Sequence, residues 1–204
     1  MEVSFKSKYN FVDIHEFRKV TRRCFNYVPF GNQEPYFIKG PQIFTEEVRT
    51  CSGGLITNLV ETLGYHALDS LIMEELLPEI MQKMLGAINL ENARGMIVGS
   101  KDLRSRPYSK SNFSCIREYL EKNIKNLTVF REHTHEIGET NFHYDVKTDI
   151  CTICSRYKLG PHMAFYKDVD TPAELKEAYK EIKIADGDEL YIRGKKVDTK
   201  LFQP

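Results

Sequence analysis

Apolar residues along this chain keep a helical spacing up to about residue 93 and then break into short, strand-like runs. Ile14, Phe17, Val20, Cys24 and Tyr27 recur at helical intervals behind Asp13, a good N-cap, which predicts a helix over 13–27. Residues 28–54 hold three prolines and four glycines and read as a loop with at most one short strand. A helix from about Leu55 to Leu63 and a longer one from about Tyr65 to Leu85 are expected next, with Pro78 kinking or dividing the second. The acids Glu61, Asp69, Glu74, Glu75 and Glu79 read as its solvated side. Beyond Arg94, residues 95–100 predict a buried strand, and a helix is expected from Ser111 or Asn112 to about Asn126. Several short strands follow. A helix capped by Thr171, with Pro172 in its first turn, is expected over 172–183, and a hairpin closes the chain. These elements predict one α/β or α+β domain over 1–204. In it a helical half (about 1–93) precedes a half (about 94–204) built on a mixed sheet of four to six strands with packed helices.

Composition narrows the functional classes. The 204 residues are 41% hydrophobic and 28% charged, enough apolar material for a core and too much for a disordered chain. No apolar run approaches the roughly 18 residues of a membrane span, and the first residues lack a signal-peptide core, so no membrane partner is expected. A formal net charge of zero removes any global argument for nucleic-acid binding and leaves only local patches. Five cysteines, an odd number, predict free thiols in an intracellular setting, cytoplasm or nucleus, of a host cell if the protein is viral.

Histidine and cysteine concentrate in one place. His133, His135, His143, Cys151 and Cys154 are five of the chain's eleven such residues, and they fall within 22 positions. Imidazole and thiolate suit zinc, CxxC is a common half-site, and two histidines two apart share one face of a strand. That pattern predicts a zinc-structured interaction or regulatory module without catalysis. The nearby HEIGE (135–139) lacks the second histidine of a metalloprotease HExxH helix.

The same region carries acids. Glu132 is followed by Asp145 and Lys147, and an Asp-x-Lys strand puts both side chains on one face. With a hairpin turning at Gly138, Glu132 and Asp145 could share Mg²⁺ or Mn²⁺ while Lys147 met the phosphate. This pattern resembles the PD-(D/E)xK endonuclease domains at the N-termini of segmented negative-strand RNA virus polymerases. The resemblance implies a helical portion, then a sheet carrying the acids, and cleavage or binding of RNA. A second alignment, closer to the orthomyxovirus type, puts residues 57–59 on a metal-binding helix. It leaves Asn58, Val98 and Cys151 where the family has ligands and lysine, keeps only Glu136, and implies an inactive relative. The loop 101–110 adds Lys101, Arg104, Arg106, Tyr108 and Lys110, whose cations match phosphate and whose ring could stack on a base.

Cys51 gives a third reading. It precedes two glycines and an expected helix, an arrangement similar to the nucleophile helix of one class of cysteine peptidases. A helix N-terminus would lower the thiol's pKa, and His133, His135 or His143 would be the base. The readings are therefore a metal-related, nuclease-like domain on RNA, active or degenerate; a zinc module binding other proteins; and a cysteine hydrolase.

Overall fold

The computed structural model describes residues 6–29, 34–58, 60–101, 106–132, 137–158 and 165–202. In chain order the described elements are β1 (Lys8–Phe11), α1 (Ile14–Thr21), β2 (Phe37–Gly40), β3 (Gln42–Val48), β4 (Ser52–Thr57), β5 (Thr62–Ala67) and α2 (Leu71–Gly86). There follow β6 (Arg94–Gly99), α3 (Pro107–Asn123), β7 (Asn126–Glu132), β8 (Ile137–Asp145), β9 (Ile150–Lys158) and β10 (Lys167–Asp168). The last are α4 (Pro172–Ala178), β11 (Tyr179–Lys183), β12 (Glu189–Ile192), β13 (Lys195–Val197) and a 3-10 turn at Thr199–Phe202. The fold is α+β.

The strands form two mixed sheets, not one. The first runs β13-β12-β1-β9-β8-β3, with β10 attached to β9, and the second runs β11-β7-β6-β4-β5-β2. They face one another across a core that includes Phe11, Ile43, Leu55, Phe130, Phe142 and Ile153. On its other side the second sheet is covered by α2 and α3, through Met73, Leu77, Met84, Phe113, Ile116 and Leu120. On the outer side of the first sheet, Phe17 of α1 packs with Val12 and Cys154.

The expected helical half does not exist. The described residues of 1–93 form five strands and the two helices α1 and α2, and β1 lies between β9 and β12, so early and late parts of the chain share one sheet. The segment read as a helix from Leu55 to Leu63 is β4, a turn and the start of β5, and α2 begins only at Leu71. The cause is burial on both faces. Every residue of β4 and β5 is buried, one face against the other sheet and one against α2 and α3. Such strands lose the alternation that marks a half-exposed strand, and a continuous apolar run is ambiguous by period alone. The helix expected over 13–27 stops at Thr21, and Tyr27 instead bridges to Phe44. The one expected over 172–183 stops at Ala178, where the chain enters β11. Pro78 sits within α2, which runs unbroken across it.

Local capping chemistry holds where it was expected. Asp13 accepts from the Glu16 N–H at 2.8 Å, and Thr171 accepts from the Glu174 N–H at 3.2 Å. Among the described residues no helix is long and apolar enough to cross a membrane.

Two glycines allow β4 to run where it does. A Cβ on Gly53 would lie 2.8 Å from Val48 Cγ2, and one on Gly54 would lie 2.2 Å from the Met96 carbonyl oxygen. The second contact is with backbone and cannot be relieved by a rotamer. Gly54→Ala is therefore expected to destabilise the fold by about 1–3 kcal/mol or more, read as a lower urea midpoint at unchanged slope.

Candidate active site at Cys51 and His66

The described zinc candidates, His143, Cys151 and Cys154, are not brought together. Cys151 and Cys154 point to opposite faces of β9. Cys151 lies between the sheets, its sulfur 3.7 Å from that of Met96, and Cys154 packs outside with Val12 and Phe17. An uninterrupted strand sends residues three apart to opposite sides, so this CxxC is no half-site. His143 alternates with Phe142 and Tyr144 and so projects outward, and burial pulls its pKa down. His133, His135 and Glu136 lie outside the described residues. Among those described, no three His, Cys, Asp or Glu side chains gather as a metal site.

Nor are the three nuclease residues. The expected hairpin would put Glu132 and Asp145 on paired strands, but the chain changes sheets between β7 and β8. Glu132 ends β7, accepting from the Thr140 hydroxyl at 3.0 Å with the Lys101 ammonium at 3.3 Å. Asp145 ends β8 in the other sheet, accepting from Gln42 Nε2 at 2.8 Å and from the Lys147 N–H at 2.9 Å. Gly138 is no turn. It pairs with Tyr157 within β8, and a Cβ there would lie 2.9 Å from the Arg156 carbonyl oxygen. On the second alignment, Asn58 is not helical: it follows β4 and accepts from the N–H groups of Val60 and Glu61.

The basic loop divides. Lys101 is buried, donating to the Gly138 carbonyl at 2.8 Å, and is withdrawn from any phosphate. Arg106 is exposed and 3.7 Å from Asp69, Tyr108 is half-buried, and Lys110 is exposed. Arg104 lies outside the described residues.

What the fold does assemble surrounds Cys51. The residue enters β4, not a helix, so no helix terminus lowers its pKa. Its side chain joins the core between the sheets and is 8% exposed. In the antiparallel pairing of β4 with β5, Gly53 stands opposite His66. Directly paired residues share a face, and Cys51 is two residues before Gly53, so sulfur and imidazole lie on the same side of the sheet. The space a Gly53 side chain would fill is taken instead by Val48 Cγ2 and the Phe142 ring.

The ring of His66 is held from the other sheet. Thr45, on β3, lies 2.9 Å from His66 Nδ1, and its hydroxyl also donates to the Val28 carbonyl at 3.1 Å. One hydroxyl carries one proton. With that proton on Val28, the oxygen must accept from Nδ1–H, which fixes the tautomer and leaves Nε2 as the basic nitrogen. Burial pulls the His66 pKa down to about 4, so the imidazole is neutral near pH 7.

Burial also pushes the Cys51 thiol up to about 11, reinforced by the Asp69 carboxylate and opposed by the backbone N–H groups of Asp69 and Arg49. Asp69, expected on a solvated acidic side, has a side chain only 9% exposed. The main chain at Cys51 is pinned. Ser100 N–H reaches its carbonyl at 3.5 Å, and Gly99, at φ 122°, lets β6 approach where a Cβ would lie 2.2 Å from that oxygen. Comparison with protein-family models and with curated proteins gives no match.

His66 and Thr45 lie outside the histidine cluster at 133–143, which in the sequence alone is the more prominent source of a base. The signal was present in the glycine pair. Read as a strand, 52–57 followed by a short turn and 62–67 sets His66 opposite Gly53 without further information.

Proposed function

We propose that this protein is a thiol-dependent acyl hydrolase or acyl transferase in which Cys51 is the nucleophile, His66 the base and Thr45 the group that orients the base. The observation that carries this reading is the Thr45–His66 hydrogen bond across the two sheets, because it leaves Nε2 unprotonated on the side of the sheet where Cys51 lies. Nucleophile, base and orienting group are the three parts such chemistry needs.

The resting pair is neutral thiol and neutral imidazole. As Cys51 sulfur bonds to a carbonyl carbon, its proton passes to His66 Nε2. The imidazolium then protonates the leaving nitrogen or oxygen, and the carbon–heteroatom bond breaks to leave a thioester. Water, activated by the same Nε2, hydrolyses the thioester and restores the thiol. A second nucleophile in place of water makes the reaction a transfer.

Cys51 is 8% exposed and its backbone is tied to β6. That favours a carbonyl at the end of a slender substituent, such as a side-chain carboxamide or ester, over one within an extended main chain. Five free cysteines suit a reducing, intracellular setting for a thiol enzyme.

Thr45 supplies the test. Thr45→Val keeps the shape and removes the acceptor for Nδ1–H, and a loss of about a hundredfold in kcat/KM on an activated ester is expected, since the tautomer is no longer fixed. Thr45→Ser should recover most of it. Equal activity in the valine and serine variants would refute the assignment.

A further inference from the structure

A groove lined by none of these residues lies at the free edge of the second sheet. β11 ends that sheet, paired with β7 on one side and with no described strand on the other. Beside it a groove of about 670 Å³ runs between β11 and the 3-10 turn Thr199–Phe202. Its floor is apolar, formed by Ile182, Ile184, Leu201 and Phe202. Lys176, Lys180 and Lys183 stand around it, and Lys176 holds its ammonium 5.8 Å from the centre of the Phe202 ring.

Charge selects the occupant. Glu181, the one acid lining the groove, is bound to the Arg117 guanidinium at 2.9 Å, and Lys183 keeps only an exposed contact with Glu121 at 3.7 Å. The balance around the groove is positive. A second copy of this chain would bring the same surplus of lysine against it. Lysines on an edge strand deter indiscriminate pairing, and they leave an edge open to a strand of opposite charge.

We propose that this edge binds an extended acidic peptide segment of another protein, added as a strand beside β11. Its main chain pairs with the free N–H and C=O groups of β11. Its alternate apolar side chains rest on Ile182, Ile184 and Phe202, and its acids meet the lysines. This surface does not depend on the reading of Cys51.

Fluorescence anisotropy with a labelled peptide of about ten residues, alternating glutamate and valine, tests the proposal. Saturable binding is expected. It should weaken at least about tenfold when lysine replaces the glutamates, when alternate peptide nitrogens are methylated, and in the Lys180→Glu/Lys183→Glu protein. Should that double variant fail to fold, the methylated peptide on the parent protein decides. Absence of saturable binding overturns the proposal, as does equal binding of the lysine peptide. Methylation without effect, together with polyuridylate binding that the same lysine changes abolish, also overturns it, because the surface would then be a polyanion site without strand pairing.

Discussion

A Cys51→Ser protein is expected to fold like its parent and to lose on the order of 10⁴-fold or more in hydrolysis of an activated ester, because a hydroxyl is a far poorer nucleophile under the same base. The parent should show a burst of released alcohol and gain the mass of one acyl group on the peptide containing Cys51. The variant should show neither. The pH dependence of plain alkylation gives an independent reading. With its pKa near 11, the free thiol is ionised to only about one part in 10⁴ at pH 7. Iodoacetamide should therefore label Cys51 slowly, about tenfold faster for each pH unit up to near 11. An acyl substrate that reacts much faster at pH 7 than that thiolate fraction permits shows the base at work, and His66→Ala should remove that advantage while leaving slow alkylation in place. Acylation at Cys115, or a burst surviving in Cys51→Ser, would end the hydrolase reading.

Arg94→Met is expected to cost about 3–5 kcal/mol, the penalty of stranding a buried charge, and to lower the melting temperature by on the order of 10 °C. Arg94 on β6 pairs with Asp188, whose side chain is fully buried just before β12, so the pair ties one sheet to the other. Asp188 also accepts from the Ser7 N–H at 3.0 Å and from the Thr128 hydroxyl at 3.2 Å. Burial raises its pKa to about 6 from an ordinary 3.8, with Arg94 opposing the rise. A carboxyl whose folded pKa is raised contributes stability that is full below about pH 3.8 and is lost as the pH climbs through 6. Without Arg94 that pKa rises further. The deficit of Arg94→Met should accordingly be larger in thermal unfolding at pH 8 than at pH 5, where the carboxyl takes a proton and the stranded charge disappears. A deficit independent of pH would mean that Arg94 acts only through packing.

Within the sequence, the elements made by local chemistry were legible. Asp13 and Thr171-Pro172 mark the two helix starts they form, residues 95–100 mark β6 to within a residue, and the closing hairpin is β12 and β13. The caps and the hairpin rest on interactions between near neighbours, which a linear reading contains. What long-range pairing decides was not legible. β4 and β5 are buried on both faces because a second sheet and two helices cover them, and nothing within 52–67 announces either cover. The crossing between sheets after Glu132 separates it from Asp145, although a hairpin there was locally reasonable. The base of the candidate site follows the same rule. Strand register puts His66 on the same side of the sheet as Cys51, and Thr45 holds its ring from the opposite sheet. Sequence supplied the thiol, the imidazole and the glycines that let neighbouring chain approach β4 closely. Only the packing of one sheet on the other gave those groups neighbours, because side chains far apart in the chain meet only where burial of apolar surface forces the two sheets together.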